Sequence, residues 1–209
     1  MSEIGDDLLE VLEELGSKII IHHYITNTDT TEYVDPDFEV NQVYPWTSHY
    51  VMKCDFVYTT VAVPGDLITF TTDSLNYLLV ALATARFENK IISKEGVIYL
   101  CNTLVQIQRR TEVRVDYDLQ VAWPIVYSGE YALFSGNIAL DDLVEKKYGE
   151  FTLQRDRLYI SDQLDVQVGD RIWLKESMDV SGEAREILAI ENKMFAGIKI
   201  CLTKEDIRE

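Results

Sequence analysis

The residues able to carry chemistry in this chain are three histidines, three cysteines and a large excess of carboxylates. His22 and His23 are neighbours. In an extended segment, adjacent side chains point to opposite faces, so these two imidazoles cannot jointly hold a metal ion. His49 stands alone. Structural and catalytic zinc sites need clustered His, Cys or carboxylate ligands at defined spacings, and no such cluster is present. Cys54, Cys101 and Cys201 are widely spaced, form no CxxC pair and lie in apolar or strand-like sequence. They read as reduced, buried small hydrophobes of a protein made in a cytosol. Asp35, Asp37 and Glu39 alternate and are oxygen donors of the kind Ca²⁺ takes. The glycine and closing glutamate of an EF-hand loop are missing, so a solvated acidic face is the simpler reading. There is no P-loop, GxGxxG or GxSxG motif. The expectation is a non-enzymatic protein with no cofactor and no metal.

Charge narrows the partners. The 209 residues carry a formal net charge of −17. Residues 1–60 hold 12 acids against 2 bases, a balance of −10, so the charge is loaded toward the N-terminal end. A groove that grips nucleic acid needs clustered Lys and Arg, and Arg109-Arg110 is only a pair. Anionic lipid is disfavoured for the same reason. A negative wall still suits DNA that must slide past without sticking, although the plain role of such charge is solubility. No apolar run approaches the roughly 18 residues that cross a bilayer. The first residues, Met-Ser-Glu-Ile-Gly-Asp-Asp, lack the basic start of a secretory leader.

The elements that would position these residues are mostly strands. Ile4, Leu8, Val11, Leu12 and Leu15 recur at helical spacing, with acids in the first turn and Gly16 as a stop. A helix this short must dock on its own domain or on a partner. After it, the 12 tyrosines and abundant Val, Ile and Thr favour pleated surfaces. Strands are expected at 18–25, 49–58, 96–101 and 151–160. Residues 75–87 suit a helix by composition but are read as a strand, because they match a strand-like segment in the second half. Residues 27–47 read as a long loop or arm, with Tyr44 and Trp46 as anchors for a partner or for the core. Val113 to Val121 alternates as one half-buried strand. A short helix is expected at 139–147.

The chain also resembles itself. Val168-Gly169-Asp170-Arg171-Ile172 echoes Val63-Pro64-Gly65-Asp66-Leu67-Ile68. Arg185 to Ile190 matches Tyr77 to Leu82, and Gly197 to Cys201 matches Gly96 to Cys101, at offsets near 100 residues. Gly65 and Gly169 supply a backbone conformation other residues avoid, while Asp66 and Asp170 bond nearby backbone N–H groups. Such turns opening short apolar strands suggest small barrels or sandwiches. The expected fold is mainly β: two SH3-like or OB-like barrel or sandwich modules with a short N-terminal helix and one short internal helix. Residues 1–16 form the helix, 17–110 the first module, 111–150 connecting strands with the internal helix, and 151–209 the second module.

The stretch Leu164-Asp-Val-Gln-Val-Gly-Asp-Arg-Ile-Trp, followed by Glu186-Ile-Leu-Ala-Ile and Ile198-Lys-Ile-Cys-Leu, resembles the small barrel of tailed-bacteriophage head-closure proteins, also called stoppers or head–tail joining proteins. The opening Leu8-Leu-Glu-Val-Leu-Glu-Glu-Leu-Gly and Ile19-Ile-Ile-His is similar to their N-terminal helix and first strand. The likeness covers about half the chain, and the chain is about twice as long as such proteins usually are. It implies a virion neck component, made in a host cytoplasm, whose copies form a ring around the DNA channel between portal-side connector and tail. On that reading Leu8 and Leu12 of the helix, with Tyr44 and Trp46, contact neighbours. The same features fit a tail terminator, collar or baseplate protein, or a cytosolic ligand-binding barrel or enzyme.

Overall fold

The structure, a computed structural model, describes residues 3–37, 51–115, 118–135, 156–177, 182–191 and 197–208. The chain opens with α1 (Glu3–Leu15) and continues through β1 (Ser17–His23), β2 (Thr28–Asp37), β3 (Val51–Val57), β4 (Leu67–Phe70), β5 (Asn76–Phe87) and β6 (Lys90–Leu100). The second half holds β7 (Thr103–Gln108), β8 (Thr111–Val115), β9 (Asp118–Ala122), β10 (Ile125–Ser135), β11 (Asp156–Ser161), β12 (Arg171–Lys175), β13 (Glu183–Glu191) and β14 (Ile198–Glu205). The expected mainly-β fold with a short N-terminal helix is the fold observed.

Strands close into two six-stranded barrels, in the orders β1-β2-β3-β6-β5-β4 and β7-β10-β11-β14-β13-β12. The two orders are the same once β8 and β9 are set aside as a separate two-stranded hairpin inserted after the first strand of the second barrel. Register agrees as well. Ile21 of β1 faces Ile68 of β4, and Ile107 of β7 faces Ile172 of β12. All four are essentially inaccessible to solvent. In the first barrel, alternating inward residues such as Ile19, Phe56, Leu79 and Ile98 fill the interior. In the second, Val105, Leu133, Leu158, Ile160, Ile187 and Ile200 do so. Burial of one face per strand fixes these registers, since a slip of one residue would expose every core side chain.

By contacts the chain divides into two compact units. One comprises Met1–Cys101 with Ser161–Leu164 and Lys193–Ile198, and the other holds the remainder. The chain enters the second barrel at β7, directly after β6, so the module boundary expected at 110 falls too late, and β10, expected within a connector, is a strand of the second barrel. Nothing in Cys101-Asn102 marks the change: there is no proline, glycine or charge run.

Two further expectations are corrected. Thr28–Asp37, expected within a loop, is strand β2, because Thr30, Glu32 and Val34 pair with Ile21, Ile19 and Ser17. Val113 to Val121 is a hairpin and not one strand. Val115 pairs with Asp118, so the chain reverses and side-chain parity inverts. Val113 then shares a face with Gln120, while Leu119 and Val121 share the other with Arg114 and Glu112. Each of Val113, Leu119 and Val121 is exposed. Residues 75–87 form strand β5 as read. The expected helix at 139–147, and Tyr44, Trp46, His49 and Glu39, lie outside the described residues.

Candidate functional site

The clearest constellation is a pair of corners, one in each barrel. In the first, Gly65 adopts a φ of +98°, and its N–H donates to the Leu79 carbonyl at 2.7 Å. The Asp66 N–H donates to the Val63 carbonyl, and the Leu79 N–H donates to the Asp66 carbonyl at 3.0 Å. The Asp66 carboxylate turns back and accepts the Val63 N–H at 2.9 Å. In the second, Gly169 has a φ of +89°, and its N–H donates to the Ile187 carbonyl at 2.9 Å. Asp170 bonds Gln167 and Ile187 in the same way, and its carboxylate accepts the Gln167 N–H at 2.9 Å. Positive φ explains glycine at both turns. Local carboxylate-to-backbone bonding explains aspartate.

Both carboxylates are buried, Asp66 at 0% and Asp170 at 2% residue exposure. A buried carboxylate needs a partner. Asp66 Oδ2 lies 2.8 Å from Nδ1 of His23, the last residue of β1. Asp170 accepts Nε–H and Nη2–H of Arg109, which follows β7, each at 3.0 Å. Since His22 faces Leu67 and Gln108 faces Arg171, His23 and Arg109 are the same position of the repeated barrel. Imidazole fills it once and guanidinium once. Arg109 also reaches Asp165 at 2.9 Å, and its hydrogen bond, with one from Gln167, holds the exposed Asp165 carboxyl below its ordinary range.

The other titratable groups hold structure too. His22 contacts Asp29 at 2.7 Å and Thr69 at 3.1 Å, while His23 also reaches Thr30 at 3.0 Å. The two rings thus serve different partners, as alternation along β1 requires. Burial pushes the Cys54 thiol up to about 12, with Asp55, Asp35 and Asp37 adding to the rise. Burial likewise lifts Cys201 to about 12 and Cys101 above the ordinary thiol range. Such thiols stay protonated and are poor nucleophiles. Among the described residues, no three His, Cys, Asp or Glu side chains are placed to hold a metal ion together.

A second polar cluster fastens the end of the chain to the second unit. Asp206, with a fully buried side chain, accepts from Arg171 Nε at 2.6 Å and Arg208 Nε at 2.8 Å. Burial alone would raise its carboxyl, but the bonds from Arg208 and Arg171 outweigh this and hold it well below the carboxylate range. Both guanidinium groups lie over the Trp123 ring, at 4.1 Å and 4.8 Å from its centroid. This is cation–π packing on a buried ion pair. Asp206 and Arg208 are near neighbours, but Arg171 and Trp123 are distant from them in sequence, so no local spacing could have announced the cluster.

Of the residues expected at a partner surface, Leu12 is buried in its own unit at 3% exposure and Leu8 is half-buried. Docking within the chain is therefore what α1 does through Leu12. The Gly-Asp repeat is found where the sequence places it, and Leu79 and Ile187 correspond as expected. Both are followed by a register irregularity, between Leu79 and Ala81 and between Ile187 and Ala189. The third match shifts. Leu82 pairs with Gly96 and Ile190 with Cys201, so Cys201, not Gly197, is the counterpart of Gly96. Comparison with protein-family models, with curated proteins and with solved structures finds no match for the chain.

Proposed function

We propose that this chain is a non-enzymatic structural protein of a tailed-bacteriophage virion, a neck component of the head-closure type whose copies assemble between head and tail around the DNA channel. The observation that carries this reading is the tandem of two equal barrels, each locked by a buried aspartate bound to the end of its first strand. A doubled barrel accounts for a chain about twice the length usual in the family it resembles. The groups that would otherwise do chemistry serve as fasteners: His22 and His23 bond their neighbours, and the three thiols are held protonated. Apolar side chains fill both barrels, which favours a rigid module over a ligand-binding cup. Exposed acids, among them Glu10, Glu13 and Glu14 of α1, suit a surface past which a duplex slides without adhering.

Mixing purified chain with tail-less heads and with isolated tails, then sedimenting each, tests the reading. The chain is expected to travel with one of the two and to bridge them when both are present. Sedimentation with neither would overturn the proposal.

A further inference from the structure

The β5–β6 hairpin is longer than its counterpart in the second barrel. Leu79 corresponds to Ile187, so Ala83 corresponds to Glu191; Ala83 pairs with Glu95 and Glu191 with Ile200, so 11 residues (84–94) join the first pair and 8 (192–199) the second. β5 continues to Phe87. Beyond the barrel its last two residues pair only with β6, Arg86 with Ile91 and Phe87 with Lys90. Glu88 and Asn89 close the hairpin with φ values of 48° and 65°, the signs a tight two-residue turn requires.

This tip is unlike the rest of the protein. Phe87 is 52% exposed and Ile91 37%. Arg86 and Lys90 are exposed too, and neither has a carboxylate partner among the described residues. With the turn carboxylate of Glu88 counted, the tip still carries a net positive charge and two exposed apolar side chains, on a chain of net charge −17, and has an unmet complement. The same unit carries one. Asp35, Asp55 and Glu95 stand directly opposite one another across β2, β3 and β6, all three exposed. Like charges in paired positions repel. In the next row Lys53 answers Asp37, leaving the three-acid row itself uncompensated. Burial first, then Glu95, Asp35 and Asp37, raise the Asp55 carboxyl.

We propose that the β5–β6 tip of one copy docks on the Asp35–Asp55–Glu95 row of a second copy. Arg86 and Lys90 neutralise the row, and Phe87 and Ile91 leave water at its margin. The two patches differ, so the contact is head-to-tail and propagates into a closed ring or an open filament instead of stopping at a twofold dimer. This deepens the assembly reading by naming the surfaces that join copies.

Native mass spectrometry and light scattering of the full chain, as wild type, as R86E/K90E and as R86E/K90E/D55K/E95K, provide the test. The wild type is expected as multiples of 24.1 kDa that shrink with added salt. R86E/K90E is expected to associate at least about tenfold more weakly, and the four-residue charge swap to regain assembly. Circular dichroism checks that each variant is folded. A wild-type mass distribution for R86E/K90E would overturn the proposal while leaving an assembling protein. The same mass with weaker sedimentation on heads or tails would overturn it in favour of a different virion partner for the tip. A wild type that stays a single 24.1 kDa chain yet sediments with heads or tails would overturn the contact and keep the neck reading.

Discussion

Asp66 and Asp170 are one residue occurring twice. Each caps its own turn by accepting the N–H three residues earlier, and each binds a side chain at the close of its barrel's first strand, His23 as the last residue of β1 and Arg109 just after β7. Removing either carboxylate takes the acceptor from a turn N–H and from His23 Nδ1 in one barrel, or from a turn N–H and the Nε–H and one Nη2–H contact of Arg109 in the other, where Arg109 keeps Asp165. Asp66→Ala and Asp170→Ala are each expected to cost about 2–4 kcal/mol, measured by urea unfolding. Losses near those of exposed substitutions, about 0.5 kcal/mol, would show the corners to be ornamental.

Asp206 gives a pH signature. Its carboxyl is held below the ordinary range, so the stability it contributes is complete above the unfolded value of about 3.9 and is lost as pH falls toward the folded value. Asp206→Asn is expected to lower stability by about 2 kcal/mol at neutral pH, with the gap to wild type closing in strong acid. Thermal melts from pH 7 down to pH 2 read this directly. A gap that stays constant with pH would remove the ion pair from the account.

Asp55 is expected to behave oppositely. Burial and its acidic neighbours raise its carboxyl, so the fold favours the protonated form. The penalty is absent below the unfolded value and present once pH exceeds the folded one. Asp55→Asn is expected to stabilise the isolated chain by about 0.5 kcal/mol at pH 7, a figure reduced for solvent screening. The gain should vanish at pH 3. Destabilisation at pH 7 would contradict the repulsion inferred for the row.

Gly96 tests the packing of the first barrel. A Cβ there would run into the Phe56 ring and stand 3.3 Å from a Leu79 methyl. Gly96→Ala is expected to cost about 2 kcal/mol through overpacking. Adding Phe56→Leu should return part of it, because the smaller side chain vacates the space. Equal or additive losses in the double variant would mean the two sites do not share that volume.

The Gly-Asp corners were legible in sequence because two local demands, positive φ and a short side-chain acceptor, select two residue types side by side. Their partners were not. His23 and Arg109 meet their aspartates across 43 and 61 residues of chain, and nothing local couples them. The β8–β9 hairpin mimics a single strand in sequence because its alternation runs through a reversal that swaps faces. The fold class followed from turn spacing and β-rich composition. The start of the second barrel did not, since β6 leads into β7 with no punctuating residue.

The central claim, a place in the virion neck, is tested most directly by locating the chain in particles. Antibody-gold labelling of virions whose genome encodes this chain, viewed by negative-stain microscopy, is expected to mark the head–tail junction. Deletion of its gene is expected to leave separate heads and tails. Particles that carry no label at the junction, and that assemble normally without the chain, would contradict the account.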